Sequence, residues 1–387
     1  MNKLILLPLV AFLLYFAIES PQIDSAFAID VGTLPFDVAI NSITNKAYVA
    51  HVDGTVQVID VNPLNATGTY NTVIETIVVS PGKALIGIVV NPATNKIYVG
   101  NTGDSNVAVI NGTTDTLQTT IEMISPLDDV TPVGVFTVDV EINTILNTLY
   151  VSNVLSGTVV VIDINVGSPT ENQIIDVLSG FNSPSRFTFD PNTNLMYMTN
   201  FFSNTVSVLN GSQNSLADGT PLVDTIIIGN SPDGIKFNPT NKKIYTANGA
   251  DDTVSVIDAD PLNATGTYRK LIDTISVGVN PASVTVDSAN NRIYVTNRDD
   301  GTISVINGTT DTVTKTIPTD TSTPTPRPRG LDVHSGTSDV YVTNGGFGIG
   351  TGTVSVINFT ANNPPVARAG PDQVVNEGDL VTLDGVA

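Results

Sequence analysis

The sequence predicts an all-β fold: a seven-bladed β-propeller of four-stranded antiparallel blades, closed by the N-terminal strand joining the last blade. Two observations carry that expectation. A tyrosine recurs seven times, at Tyr48, Tyr98, Tyr150, Tyr197, Tyr245, Tyr294 and Tyr341, spaced 47–52 residues apart, and a period of that size marks a repeat architecture. Seven residues before each tyrosine stands Asn41, Asn91, Asn143, Asp190, Asn238, Asp287 or His334, so the recurrence fixes register as well as number.

Each period holds four short strands. In the fifth copy GIKFN precedes the turn PTNKK, followed by IYTAN, the loop GADD, TVSVID, a longer connection and KLIDTISVG. Apolar and polar residues alternate with period two and the runs end at Gly, Asn, Asp or Pro, as half-buried strands do. A single blade cannot bury both faces, so the copies must stack around an axis. The ring must also shut, because an open end leaves an unpaired strand edge. The seventh copy lacks a fourth strand and runs instead into FTANNPP, while Ile29 to Leu34 aligns with the end of the outermost strand of copy five. The N-terminus is therefore expected to pair beside Val354 to Ile357.

The second-strand motif stands as IYVTN at Ile293 to Asn297 and VYVTN at Val340 to Asn344, with IYVGN, LYVSN, MYMTN, IYTAN and AYVAH as variants. This repeat resembles the YVTN family of β-propellers over about residues 29–358. The resemblance implies a fold and, through the surface-layer and envelope proteins that carry such repeats, a cell-surface setting. It does not imply a chemistry, because a propeller hosts binding proteins and enzymes alike.

Residues 1–28 are expected to be a signal peptide: Lys3, an apolar core from Leu4 to Ile18 and Ala26-Phe27-Ala28 before Ile29 follow the secretory layout. The fifteen residues of that core, with Pro8 among them, fall short of the roughly 20 that a spanning helix needs. A secreted, cell-surface and monomeric protein follows as the expectation, with no membrane span after cleavage. Cutting after Ala28 would leave the closing strand very short, so a cut further upstream stays open. The propeller is expected over 29–360 and a linker with an incomplete domain over 361–387. There, Ala369 to Gln373, Glu377-Gly378 and Val381 to Gly385 resemble the opening of a PKD-type sandwich, which needs far more residues than remain.

The chain has no cysteine, hence no disulfide and no thiolate metal site. Its 16 basic against 37 acidic residues give a net charge of −21, which disfavours nucleic acid as a partner. Six Asn-x-Ser/Thr sequons, at Asn65, Asn111, Asn210, Asn263, Asn307 and Asn358, follow third strands and would place glycans on one face of the ring. The same residues are also what a tight turn wants. The Asn, Asp or His column before each tyrosine reads as turn capping, and the Asn closing each second strand as a bond to backbone in the next loop. His51 and His334 replace members of those two columns, and two histidines so placed do not make a metal site.

The loops between second and third strands carry Asp53, Asp104, Asp251-Asp252 and Asp299-Asp300. Calcium is the one cofactor they suggest, but that ion wants six to eight oxygens and solvated turns are the simpler reading; no metal site is assigned. These loops lie, with the fourth-to-first connections, opposite the sequons. Irregular features gather there: Phe201-Phe202, Arg298, the glycine-rich Gly345 to Gly352, and the insertions Ser125 to Val133 and Thr319 to Arg329. The candidate binding residues are therefore Phe201, Phe202, Arg298, Asp299, Asp300, Asp251 and Asp252. No catalytic residue stands out. The primary expectation is a non-catalytic module that docks a protein or glycan partner at the cell surface. The alternative is a secreted propeller enzyme, lactonase-, lyase- or quinoprotein-like, acting on a small molecule, and a deep pocket ringed by Asp and Arg would mark it.

Overall fold

The computed structural model describes residues 26–65, 67–125, 130–211, 222–320, 326–345 and 351–359. Most of the expected leader, the PKD-like tail and the centres of the insertions near 126–129, 321–325 and 346–350 lie outside the described residues. Seven four-stranded antiparallel sheets form the ring. Among the described residues no helix is long and apolar enough to cross a membrane.

The first strands of the blades are innermost, and each touches the first strand of the next blade all the way round, from blade 1 through blade 7 and back. They are Pro35–Asn41, Leu85–Asn91, Thr137–Asn143, Pro184–Asp190, Pro232–Asn238, Pro281–Asp287 and Pro328–Val333. Hydrophobic clusters fill the gaps between blades. Tyr197, Val206 and Ile226 of blade 4, for example, pack on Ile235, Phe237, Ile244 and Ile257 of blade 5. Six of the seven repeat tyrosines have no exposed surface, and Tyr150 is nearly as buried. They are packing aromatics whose rings supply much of each interface.

The seven residues preceding the tyrosines do cap their hairpins. The Oδ1 atoms of Asn41, Asn91, Asn143, Asp190, Asn238 and Asp287 accept backbone N–H bonds from two residues ahead at 2.9–3.1 Å. His334 does so with Nδ1, accepting from Gly336 and Thr337 at 3.2 Å. Its other nitrogen then carries the proton and faces Asn45 Oδ1 of blade 1 at 2.9 Å, as Asn41 Nδ2 faces Asn95. The asparagines closing the second strands meet the expectation in part. Asn101 accepts the Asp104 N–H of the next loop and Asn297 the Gly278 N–H, while those of blades 4 to 7 also donate to hydroxyls of the third strand, as Asn248 does to Thr253 and Ser255.

Closure occurs where the pairing pattern placed it. Residues Ala26–Thr33 pair antiparallel with Thr351–Ile357, Ile29 opposite Val354, and complete blade 7 as its outer strand. This strand begins at Ala26, three residues inside the expected leader. Ile29 and Val31 are buried in the cluster shared by blades 7 and 1.

Candidate functional site

A seven-fold repeat that built identical blades would give a channel lined by seven copies of the same side chain. The innermost strands depart from that. Aligned on their capping residues, their third positions read Asp37, Gly87, Asp139, Arg186, Gly234, Ser283 and Gly330, and their fifth positions Ala39, Val89, Glu141, Thr188, Lys236, Thr285 and Asp332. Both positions point to the same side of a strand. Six of these fourteen residues are charged and no charge recurs at the same position in all seven strands, so the repeat has been broken where the blades converge.

The third-position residues form a tier across the channel. Arg186 of blade 4 places Nη1 3.1 Å from Asp37 Oδ2 of blade 1 and 3.0 Å from Asp139 Oδ1 of blade 3, with Asp233 of blade 5 at 3.8 Å from Nε. Asp139 also accepts the Phe187 N–H. Glycines make this crowding feasible: a Cβ on Gly330 would sit 2.6 Å from the Asp37 Cα, and one on Gly87 2.7 Å from the Asp139 Cα. Below lies a second tier, where Lys236 approaches Glu141 at 3.8 Å. Asp332 there accepts the Ile40 and Val333 N–H groups. A polar cavity of about 280 Å³ is lined by the third to sixth positions of the innermost strands and by none of the first two. It therefore extends from the Arg186 tier toward the hairpin end of the ring.

Burial pushes the Asp37 carboxyl up to about 7, against the pull of Arg186 and with the help of Asp139. Asp139, Glu141 and Asp332 are raised for the same reason, each opposed by its nearest cation. Burial disfavours the Arg186 charge, but Asp139, Asp37 and Asp233 together outweigh it and hold the guanidinium protonated. Glu141 likewise raises Lys236 against burial. A carboxyl that exchanges its proton near neutrality beside fixed cations can serve as a general base.

The residues singled out from sequence lie on the opposite face and divide into two groups. Phe201 and Arg298 line one cavity of about 240 Å³, with Asp233 and Pro281; Phe202 meets Phe201 edge to face but is 69 % exposed. The loop acids are engaged in holding loops. Asp251 accepts the Asn230 N–H and side chain, Asp252 the Asn280 N–H, Asp300 the Val279 N–H, and Asp299 the Asn280 and Arg327 side chains. Among the described residues no group of three or more His, Asp or Glu is arranged to hold a metal ion. His51 bonds the Thr33 carbonyl at 3.0 Å.

The sequons also divide. Asn65 and Asn263 donate their side-chain nitrogens to Asp60 and Thr69, and to Asp258 and Thr267. Asn111 and Asn307 use their oxygens, capping Thr113 and Thr309.

The sequence analysis singled out no channel residue, because each differs only from its equivalents in the other blades. The signal was present in two columns, each visible once the innermost strands are laid over one another. Residues 220–362, which span the last three blades, match the family described as Lactonase, 7-bladed beta-propeller. The matched part includes Lys236 and Asp332 but not Asp37, Asp139, Glu141 or Arg186. No curated protein matches the chain.

Proposed function

We propose that the central channel takes a small polar molecule and that its chemistry is hydrolysis of a cyclic ester. One observation carries this reading: an otherwise repeating scaffold places non-repeating acids and bases around a single cavity, the pattern a reaction site requires and a structural ring does not. Partial similarity to a lactonase family supports the reaction class. In this scheme Asp37 takes a proton from water, and the resulting hydroxide adds to the ester carbonyl. Lys236, 42 % exposed toward the cavity, stabilises the oxyanion. The ring C–O bond then breaks, Asp37 returns the proton to the leaving alkoxide, and a hydroxy acid departs. A pH-stat assay over a panel of small lactones tests it. Turnover should fall at least ~100-fold in Asp37→Asn, and unchanged rates in that variant would remove the assignment.

A second reading is a non-catalytic platform, secreted or displayed at the cell surface, that docks a protein or glycan on the loop face. It is favoured by the number of carboxylates that already engage Arg186. The YVTN-like motifs and the leader-like N-terminal sequence support the setting. Saturable ligand binding with no turnover of any lactone would select this reading.

A further inference from the structure

The loop face carries a feature that neither the channel chemistry nor the loop acids use. At the second position of each innermost strand, nearest that face, the ring reads Phe36, Ile86, Val138, Ser185, Asp233, Ala282 and Arg329. Ala282 is the smallest of these, and the cavity that Phe201 and Arg298 line opens over it, with Asp233 on one side. The next position round the ring is Arg329.

Arg329 lies with its guanidinium 4.7 Å from the centroid of the Phe36 ring, and among the described residues it has no hydrogen bond or ion pair from that group. Burial and the neighbouring charges of Arg298 and Arg327 make its proton easier to lose. The nearby carboxylates are already engaged: Asp299 by Arg327 at 3.0 Å, Asp300 by the Val279 N–H, and Asp233 by Ser185 and Arg186. Arg298 Nε stands 3.7 Å from Asp299, beyond hydrogen-bond range, and is buried without a partner. A protein of net charge −21 thus gathers three arginines on one rim and leaves two with unused donors. A buried donor without an acceptor, as at Arg298 Nε, is costly; a planar guanidinium pairs with a carboxylate through two parallel bonds, and the Phe201 ring and Pro281 in the same cavity suit an acid with an apolar body.

We propose that this rim of blades 5 to 7 binds a small organic carboxylate, its charge on Arg298 and Arg329 and its apolar body against Phe201 and Pro281. The site is separate from the channel cavity, because Arg186 and its carboxylates lie between them.

Titration of the full chain with benzoate, benzyl alcohol and inorganic phosphate, followed by calorimetry or NMR, tests the proposal. Benzoate should saturate below about 10 mM, and benzyl alcohol should bind at least ~10-fold more weakly for want of the charge-assisted bonds. Arg298→Gln, at a partly exposed position, should weaken benzoate at least ~5-fold. Phe201→Ala should weaken benzoate and leave phosphate unchanged. Arg329→Gln should act as Arg298→Gln does, with Arg329→Lys retaining part of the affinity. Asp37→Asn should leave benzoate affinity unchanged, which separates this site from the channel. Equal affinity for benzoate in wild type and Arg298→Gln overturns the proposal, as does failure of benzoate to saturate, or stronger binding of phosphate than of benzoate.

Discussion

Arg186 in blade 4 and Asp37 in blade 1, 149 residues apart in the chain, meet across the channel at 3.1 Å. A contact so remote in sequence ties opposite sides of the ring through its centre. Removing the cation would leave Asp37 and Asp139 buried with no compensating charge, which costs about 3–5 kcal/mol. Arg186→Leu should therefore lower the urea midpoint markedly. The triple variant Arg186→Leu, Asp37→Asn, Asp139→Asn should recover most of the loss, because the two most buried carboxylates no longer carry charge and Asp233 is more exposed. A single variant as stable as wild type would show that water already neutralises the tier.

The raised Asp37 carboxyl makes stability depend on pH. Its ordinary value is 3.8 and its folded value about 7, so between those limits the folded chain holds a proton that the unfolded chain has released. Stability then falls as pH rises through that window, is free of the penalty below it, and carries all of it above. Each unit is worth about 1.4 kcal/mol, giving a loss of a few kcal/mol, and Asp139, Glu141 and Asp332 act with the same sign. His51 and His334, whose charged forms burial disfavours, act with the opposite sign, so the Asp37 contribution is read against a reference: from pH 4 to 8 the thermal midpoint of wild type should decline relative to that of Asp37→Asn. A wild-type midpoint that climbs relative to the variant would contradict this account.

The ring was legible in the sequence because tyrosine, hairpin cap and strand alternation all recur with one period, and closure was legible because a strand missing from one end had a match at the other. The channel was not. Repeats advertise what is common to all copies, whereas Arg186 or Lys236 is conspicuous only against the six residues at equivalent positions. The loop acids misled for the opposite reason: Asp251 and Asp299 look like ligands in a linear reading, yet their oxygens meet backbone N–H groups and side chains brought in by the neighbouring connection.

Gly330 gives the close approach of blades 7 and 1 a direct test. A methyl group there would meet the Asp37 Cα at 2.6 Å, and backbone cannot swing aside as a side chain does. Gly330→Ala should cost about 1–3 kcal/mol through overpacking and should also displace Asp37, lowering channel activity. Gly68→Ala is the control, since a Cβ there meets nothing within 4 Å; its positive φ of 77° predicts only the smaller cost of backbone strain, about 1 kcal/mol. Equal destabilisation by both would remove the packing argument.

The sequons should differ in use. A glycan attaches through the asparagine nitrogen, and at Asn65 and Asn263 that nitrogen already donates to an aspartate and a threonine. At Asn111 and Asn307 the oxygen serves the turn instead. In a host with the oligosaccharide machinery, peptide mass spectrometry should find higher occupancy at Asn111 and Asn307 than at Asn65 and Asn263. The reverse order would show that modification precedes folding of these turns.

Closure sets the last expectation. Ala26, Phe27 and Ala28 pair with Ile357, Val356 and Ser355, so a chain trimmed to begin at Ile29 keeps the buried Ile29 and Val31 but loses three pairs. At roughly 0.2–1 kcal/mol per cross-strand pair, it should be less stable by about 1–3 kcal/mol than a chain beginning at Ala26. A chain beginning at Pro35 loses the whole outer strand, exposes the edge of Thr351–Ile357, and should be cleaved by protease first in blade 7. If a leader is removed in the cell, a cut before Ala26 keeps all three pairs and a cut after Ala28 loses them, and N-terminal sequencing of the mature protein tells which occurs. Equal thermal midpoints for the Ala26 and Ile29 chains would show that Ile29 and Val31 alone hold the ring shut.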